Sequence, residues 1–281
     1  MDVIKRAILF KNTAIVDILD TKELIQQAID YHKLSDDAAV ALGKVLMIGA
    51  FISSGFKDKG EKLTIIVQGD GTGKKIVVCG NSIAQVRGYI ENTNASGSVT
   101  DIVGKKGYLN VIKDFGMKEP YNGISQIVTG NIDFDFAYYF TYSEQLPTAI
   151  SLSVKVENGK CIAANGIIVQ PMPNCDECDI FILQDIVSQF KDFSKIVEEK
   201  GGVQETLDFY FGHFDINQLE DINPIYKCNC SDERTKELIK SLGKKEAEDI
   251  IKEVGKIEVG CQFCNKKYVY RACDLRSIFD E

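Results

Sequence analysis

Between residues 62 and 169 the apolar positions recur mainly every second residue. This predicts strands over 63–67, 76–79, 108–112, 150–156 and 162–169. Turn clusters punctuate them, among them Gly69-Asp70-Gly71 and Glu157-Asn158-Gly159. Ahead of this block, 35–51 has helical spacing: Asp36 and Asp37 fall in the first turn, and Leu42, Val45, Leu46 and Gly49 lie on one side. The predicted fold class is therefore α+β, with a mixed sheet-and-helix amino-terminal domain over 1–175. No internal repeat or low-complexity tract interrupts it.

The pattern changes after 175. Residues 176–226 offer two helical stretches, 180–200 and 203–211, joined at Gly201-Gly202, and Asn223-Pro224 marks the end. In the last region, 227–281, Ser231 or Asp232 caps a helix through Leu242, which Gly243 stops. A second helix over 244–254 stops at Gly255, a short strand leads to Cys261, and 267–271 alternates as a hairpin return. This region is poor in apolar residues for its length, so something must supplement its core.

The chain has 281 residues, of which 44% are hydrophobic and 26% charged, which excludes wholesale disorder. Its longest apolar run, 45–56, contains Gly and Ser and is shorter than the roughly 20 residues of a membrane span. The apolar stretch 7–10 is cut by Lys11 and Asn12, which denies a signal peptide its core. A cytoplasmic protein without membrane association is expected. The net charge of −8 disfavours nucleic acid as a partner. The acidity is concentrated in 176–226, where 12 acidic residues meet 3 basic ones; everything else is nearly neutral. That segment also holds Phe181, Phe190, Phe193, Phe209, Tyr210, Phe211 and Phe214, too many aromatics for a free linker and too much charge for a very stable fold. It is expected to stay folded only while docked on the amino-terminal domain and braced by the last region.

Nine cysteines, in a chain too long to need disulfide staples, suggest metal ligands or redox groups. Cys228-Asn229-Cys230 and Cys261-Gln262-Phe263-Cys264 form a CxC and a CxxC separated by 30 residues, the interval of the two predicted helices. Four thiolates meeting at the ends of such an insert suit one tetrahedral zinc ion, whose binding free energy would supplement the thin core. Tetrahedral sulfurs on zinc stand about 3.8 Å apart, against about 2.05 Å in a disulfide, so oxidation of the ligands is incompatible with the metal. Two readings stay open on spacing alone: a permanent structural zinc site, or a redox-sensitive one whose loss of zinc unfolds the small domain.

Around these cysteines a resemblance becomes specific. Cys228-Asn229-Cys230-Ser231 with Glu233-Arg234, Leu238, Leu242-Gly243, Glu258-Val259, Cys261-Gln262-Phe263-Cys264 and Tyr268 resembles the carboxy-terminal zinc domain of the heat shock protein 33 family. The amino-terminal region agrees through Val86-Arg87-Gly88-Tyr89, Gly69-Asp70-Gly71 with Gly73, Tyr121-Asn122-Gly123, and Tyr139-Phe140 leading to Ser143-Glu144-Gln145 with Pro147. The resemblance implies a cytosolic, ATP-independent holdase chaperone, not an enzyme. It implies a reduced form that is inactive with one zinc held by Cys228, Cys230, Cys261 and Cys264. On oxidation it implies Cys228–Cys230 and Cys261–Cys264 disulfides, zinc release, unfolding of the 176–226 linker, binding of unfolded client proteins, and a homodimer. For the order of bridging, the CxxC pair is expected to oxidise before the CxC pair, because it needs less rearrangement.

Other features carry weaker chemistry. Gly69 to Lys75 lacks Walker spacing and reads as a β-turn; Ser143-Glu144 lacks a nearby histidine and reads as a cap or packing pair. His32 and His213 read as structural or surface residues, and Cys79 as a buried small hydrophobe. Cys175-Asp176-Glu177-Cys178 departs from the family's ligand pattern. It could be an oxidoreductase dithiol, an accessory disulfide, free thiols, or part of a second metal site with Cys161 or Cys273. Three function classes follow: the switched holdase, a protein with permanent zinc, and, more distantly, a thiol oxidoreductase.

Overall fold

A computed structural model describes residues 1–279, which form two compact units, 1–227 and from Cys228 onward. In chain order, the first unit begins with β1 (Val3–Leu9), β2 (Ala14–Asp20), α1 (Lys22–His32) and α2 (Asp36–Ser54). It continues with β3 (Lys62–Gly69), β4 (Lys75–Asn81), β5 (Gln85–Ile90), α3 (Val99–Val103), β6 (Gly107–Asp114) and β7 (Tyr121–Gln126). Then come α4 (Ile132–Ser143), β8 (Ala149–Glu157), β9 (Lys160–Pro171), α5 (Glu177–Ser188), α6 (Phe193–Lys200), α7 (Val203–Phe211), β10 (Ile216–Gln218) and β11 (Ile225–Tyr226). The second unit comprises α8 (Asp232–Leu242), α9 (Lys244–Val254), β12 (Ile257–Gly260), β13 (Lys267–Tyr270) and α10 (Ala272–Phe279).

Two sheets organise the first unit, with strand orders β10-β1-β2-β9-β8 and β11-β5-β4-β3-β6-β7. All pairs are antiparallel except β11 with β5. The long helix α2 lies in the core with both sheets and is buried on nearly every side, from Ala38 to Ser53. Ser35 caps it through its Oγ, which accepts the Ala38 N–H at 3.3 Å. By length and hydropathy α2 could cross a membrane, but 78% of its apolar window is buried inside this fold, as in the core helix of a globular domain.

The five-stranded sheet is covered on both faces. Ile4, Leu19, Ala164 and Ile168 point into the α2 core, whereas Ala7, Leu9, Val16, Ile18, Ile167 and Val169 face a second core closed by α5, α6 and α7. Burial on both sides leaves β1 and β2 without the alternating burial that marks β3 and β4: Lys5 and Arg6 interrupt the apolar positions of β1, and Asp17 those of β2. The second core draws Leu183, Phe190, Phe193, Val197, Leu207 and Phe211 from the acidic segment, so its aromatics are largely the ones that dock it.

The predicted 180–200 helix is interrupted. α5 ends at Ser188 and α6 starts after Asp192, whose carboxylate accepts the Lys195 N–H at 3.3 Å. The break is held by β8: Ser151 donates to the Phe190 carbonyl at 2.8 Å, Ser153 donates to Asp192 at 3.0 Å, and Lys155 pairs with Asp192 at 2.9 Å. A polar strand face thus overrides a continuous helical pattern.

Candidate metal centre

One cysteine motif opens the second unit and the other lies between β12 and β13. Cys228 and Cys230 lie in the stretch before α8, which is capped by Ser231, whose Oγ accepts the Arg234 N–H at 3.3 Å. Arg234 reaches back and donates to the Asn229 carbonyl at 2.7 Å, fixing the CxC bend between the two thiols. Cys261 and Cys264 occupy the turn joining β12 to β13, whose register pairs Val259 with Tyr268 and Gly260 with Lys267. Within that turn the Cys261 N–H donates to Lys266 at 2.9 Å, the Asn265 N–H donates to Cys261 at 2.9 Å, and Asn265 takes a positive φ of 56°.

Folding brings all four sulfurs within 4.8 Å of one another. Two contacts run between motifs, 3.5 Å for Cys228 to Cys261 and 3.5 Å for Cys230 to Cys264. Edges of about 3.8 Å are what a four-thiolate tetrahedron around one ion requires. The cluster therefore could hold a metal ion, and its donor set, all sulfur and half-buried, suits a soft or borderline cation. Burial pushes the Cys228 and Cys264 thiols up. Burial acts on Cys230 as well, but hydrogen bonds from Tyr268 and the neighbouring thiols outweigh it and draw that thiol down to about 7.

The supporting core is small. Ile239, Ala247, Ile257, Tyr268, Tyr270, Leu275 and Ile278 are its buried members. Tyr270 donates to Thr235 Oγ1 at 2.7 Å and lies 2.9 Å from Asp232 Oδ1, tying β13 to the start of α8. Sequence reasoning missed the Arg234 clamp. The alternation of 267–271, which sets Tyr268 and Tyr270 on one side, was the legible signal for the two tyrosines.

The remaining candidates take separate places. Cys161 is buried in β9, where desolvation pushes its thiol up to about 11. Cys79, half-buried on β4, sits 3.7 Å from Thr64 Oγ1, and Cys273 is exposed on α10. Cys175 and Cys178 lie at the head of α5, and among the described residues they join no metal-holding cluster with Cys161 or Cys273. His32 is buried 3.2 Å from the Tyr226 hydroxyl, and the ring of His213 stacks on Phe214. The N–H groups of Gly71 and Gly73 are spent on the Val103 and Ile102 carbonyls, leaving no phosphate cradle. Ser143 donates to the Ile124 carbonyl at 3.2 Å, while Glu144 accepts from Tyr139 and pairs with Lys113.

A family model described as Hsp33 protein matches residues 2–271. The chain belongs to the Hsp33 family. Hsp33 relatives described as "33 kDa chaperonin" include one from Clostridium botulinum strain Eklund 17B, 38% identical over 268 residues that cover 91% of this chain and 90% of the relative. Another, from Clostridium botulinum strain 657, is 35% identical over 269 residues, covering 92% and 91%. A crystal structure of the 33 kDa chaperonin, a heat shock protein 33 homolog, from Thermotoga maritima superposes with a TM-score of 0.90 at 30% identity, covering 99% of this chain and 98% of that one. Membership makes this a heat shock chaperone family protein and agrees with the mixed α+β architecture and the sulfur cluster.

Proposed function

We propose that the chain is a cytoplasmic, redox-regulated, ATP-independent holdase that works without catalysis. The observation that carries the reading is the four-sulfur cluster closing a unit whose buried core numbers only seven side chains among the described residues. Zinc, when bound by Cys228, Cys230, Cys261 and Cys264, supplies four bonds that tie the CxC loop to the β12–β13 turn. A cysteine engaged in a disulfide no longer offers a thiolate, so oxidation of the ligands removes that tie. Each disulfide forms as two thiols give up two electrons and two protons to one peroxide, which leaves as two waters.

The linker, taken as 176–226 between an amino-terminal domain 1–175 and a zinc domain 227–281, is the second part of the proposal. Its net negative charge opposes docking, and α5 to α7 are held mainly by the apolar face of β1, β2 and β9. Once the zinc domain loses its fold, the segment is released at its carboxy-terminal end. Release uncovers the aromatics of α5–α7 and the sheet face beneath them, an apolar surface for unfolded clients whose complexes the acidic groups keep soluble. The oxidised form is expected to be a homodimer.

Light scattering from a chemically unfolded client diluted into buffer tests this, with the protein either reduced and zinc-loaded or treated with peroxide at mildly denaturing temperature. Suppression by the oxidised form alone supports the switch. Equal suppression by both forms overturns the redox control, and none by either favours a permanent zinc module.

A further inference from the structure

Cys175 and Cys178 are left unused by the cluster and by the docking of the helical segment. β9 ends at Pro171 and α5 begins at Glu177, so Cys175 stands outside both elements and Cys178 sits in the first turn of the helix. The connection is anchored to the β1–β2 turn, since the Met172 N–H donates to the Thr13 carbonyl at 2.8 Å and the Cys175 N–H folds back to Met172 at 2.9 Å. The two thiols differ in access: Cys175 is half-buried against the second core, and Cys178 is exposed.

We propose that Cys175 and Cys178 form a second, metal-free redox site, in which a hydroperoxide oxidises the pair to an intramolecular disulfide independently of the four-cysteine cluster. Cys175 precedes the helix cap, so its placement relative to Cys178 is set by the torsions of Asp176 rather than by helix spacing, and a disulfide needs Cβ atoms about 3.5–4.5 Å apart. The adjustment falls on 172–176, which belongs to no helix or strand, so closure requires no unwinding of β9 or α5. Asp176 is extended, with φ −66° and ψ 147°, and its side chain makes no capping bond, so rotation there sacrifices no hydrogen bond of that carboxylate to the helix start.

Access sets the order of events. The exposed Cys178 sulfur attacks the peroxide O–O bond, giving a sulfenic acid and one water from hydrogen peroxide. The Cys175 sulfur then displaces the sulfenic oxygen, which leaves as a second water, and the S–S bond forms. Two thiols have lost two electrons and two protons to one peroxide. Burial and the nearby Asp179 and Asp176 carboxylates push the Cys175 thiol up, which suits a resolving thiol waiting under cover rather than a first attacker.

The test uses the full-length, reduced, zinc-loaded protein, exposed to hydrogen peroxide, quenched by alkylation and cut after Glu177, between the two cysteines. The expected result is loss of both thiols to alkylation together, with the two fragments joined, two hydrogens lighter than their sum, separable by reduction, and assigned to Cys175 and Cys178 by tandem fragmentation. In Cys175→Ser, Cys178 should stop as a dimedone-reactive sulfenic acid or a higher acid; in Cys178→Ser, Cys175 should stay alkylatable. Both variants should keep the parent's hydrogen-exchange protection in β1, β2 and β9 before oxidation, which shows that the first unit folds. The proposal is overturned if both thiols stay alkylatable after the cluster cysteines are oxidised, or if Cys178 is bridged to any other cysteine.

Discussion

Tyr268 on β13 donates its hydroxyl hydrogen to the Sγ of Cys230 at 3.3 Å, so the hairpin that carries the CxxC turn also holds a sulfur of the CxC loop. The ring is buried in the small core and the Lys266 ammonium lies 4.8 Å from its centroid, so the hydroxyl is aimed from a fixed platform. Outer-shell partners of this kind orient ligands and change metal affinity about 10–100-fold. Tyr268→Phe keeps the ring and removes the hydrogen bond. We expect zinc affinity of the reduced protein to fall by about that factor in competition with a chromogenic chelator, with the metal-saturated fold unchanged. Unchanged affinity would show that the contact is incidental.

Removing the metal should separate the two units. The second unit rests on seven buried apolar side chains among the described residues, whereas the first holds two large cores and two sheets. Chelation under reducing conditions should therefore abolish hydrogen-exchange protection in α8, α9 and β12–β13 and leave β3, β4 and β6 protected. Retention of protection across 228–279 would mean that the apolar core alone sustains that unit.

What could be read from the chain follows where its local signals agree with its packing. β3, β4 and β8 were legible because one face is more exposed than the other, and α2 because Ser35, Asp36 and Asp37 start it plainly. The hairpin β1–β2 was not, because the sheet is covered on both faces and the period-2 signal is lost. Nor was the break at 189–192, which depends on Ser151, Ser153 and Lys155 nearly forty residues away. The four sulfurs were legible from spacing; that Cys228 meets Cys261 and Cys230 meets Cys264 was not, since it depends on how α8 and α9 return the chain.

A carboxylate at the amino terminus gives a pH dependence of definite sign. Asp2 accepts the Glu23 N–H at 2.9 Å and the Leu24 N–H at 2.7 Å at the start of α1, yet its burial raises it from 3.8 to about 6. Below pH 4 it is protonated in both folded and unfolded chains and its contribution is fully present. As pH rises to about 6 the unfolded chain releases the proton first, so the contribution is lost. Relative to Asp2→Asn, which cannot titrate, the parent should lose about 2–3 kcal/mol between pH 4 and pH 7, read from urea midpoints of the first unit. A pH-independent difference would place Asp2 at an ordinary value.

Phe211 on α7 and Phe193 on α6 are fully buried on the second core, and both belong to the acidic segment. Phe211→Ala removes a large side chain at a cost of about 3–5 kcal/mol. Because net charge already opposes docking, the loss should appear locally, as exchange of 177–211 accelerated at least about a hundredfold while β3 and β6 are unchanged. If the proposed function is right, the reduced variant suppresses client aggregation without oxidant. A variant that loosens this segment and stays inactive would separate docking from chaperone activity.

The sulfur geometry bears directly on which disulfides can work as a switch. The contacts between motifs, Cys228 to Cys261 and Cys230 to Cys264 at 3.5 Å each, join residues 33 and 34 apart in sequence. Disulfides there would close long loops, each constraining the unfolded chain by about 4 kcal/mol, and would replace the metal's tie with a covalent one. Pairing Cys228 with Cys230 and Cys261 with Cys264 closes only tiny loops and leaves nothing between the motifs, so the unit opens. We therefore expect the active species, isolated after peroxide at mildly denaturing temperature, to carry the near-neighbour pairs by mass mapping, with Cys261–Cys264 formed first because CxC must bend further. Any cross-paired species recovered from the same reaction should stay compact and should not suppress aggregation. Strong suppression by a cross-paired species would mean that zinc loss, rather than opening of the second unit, activates the protein.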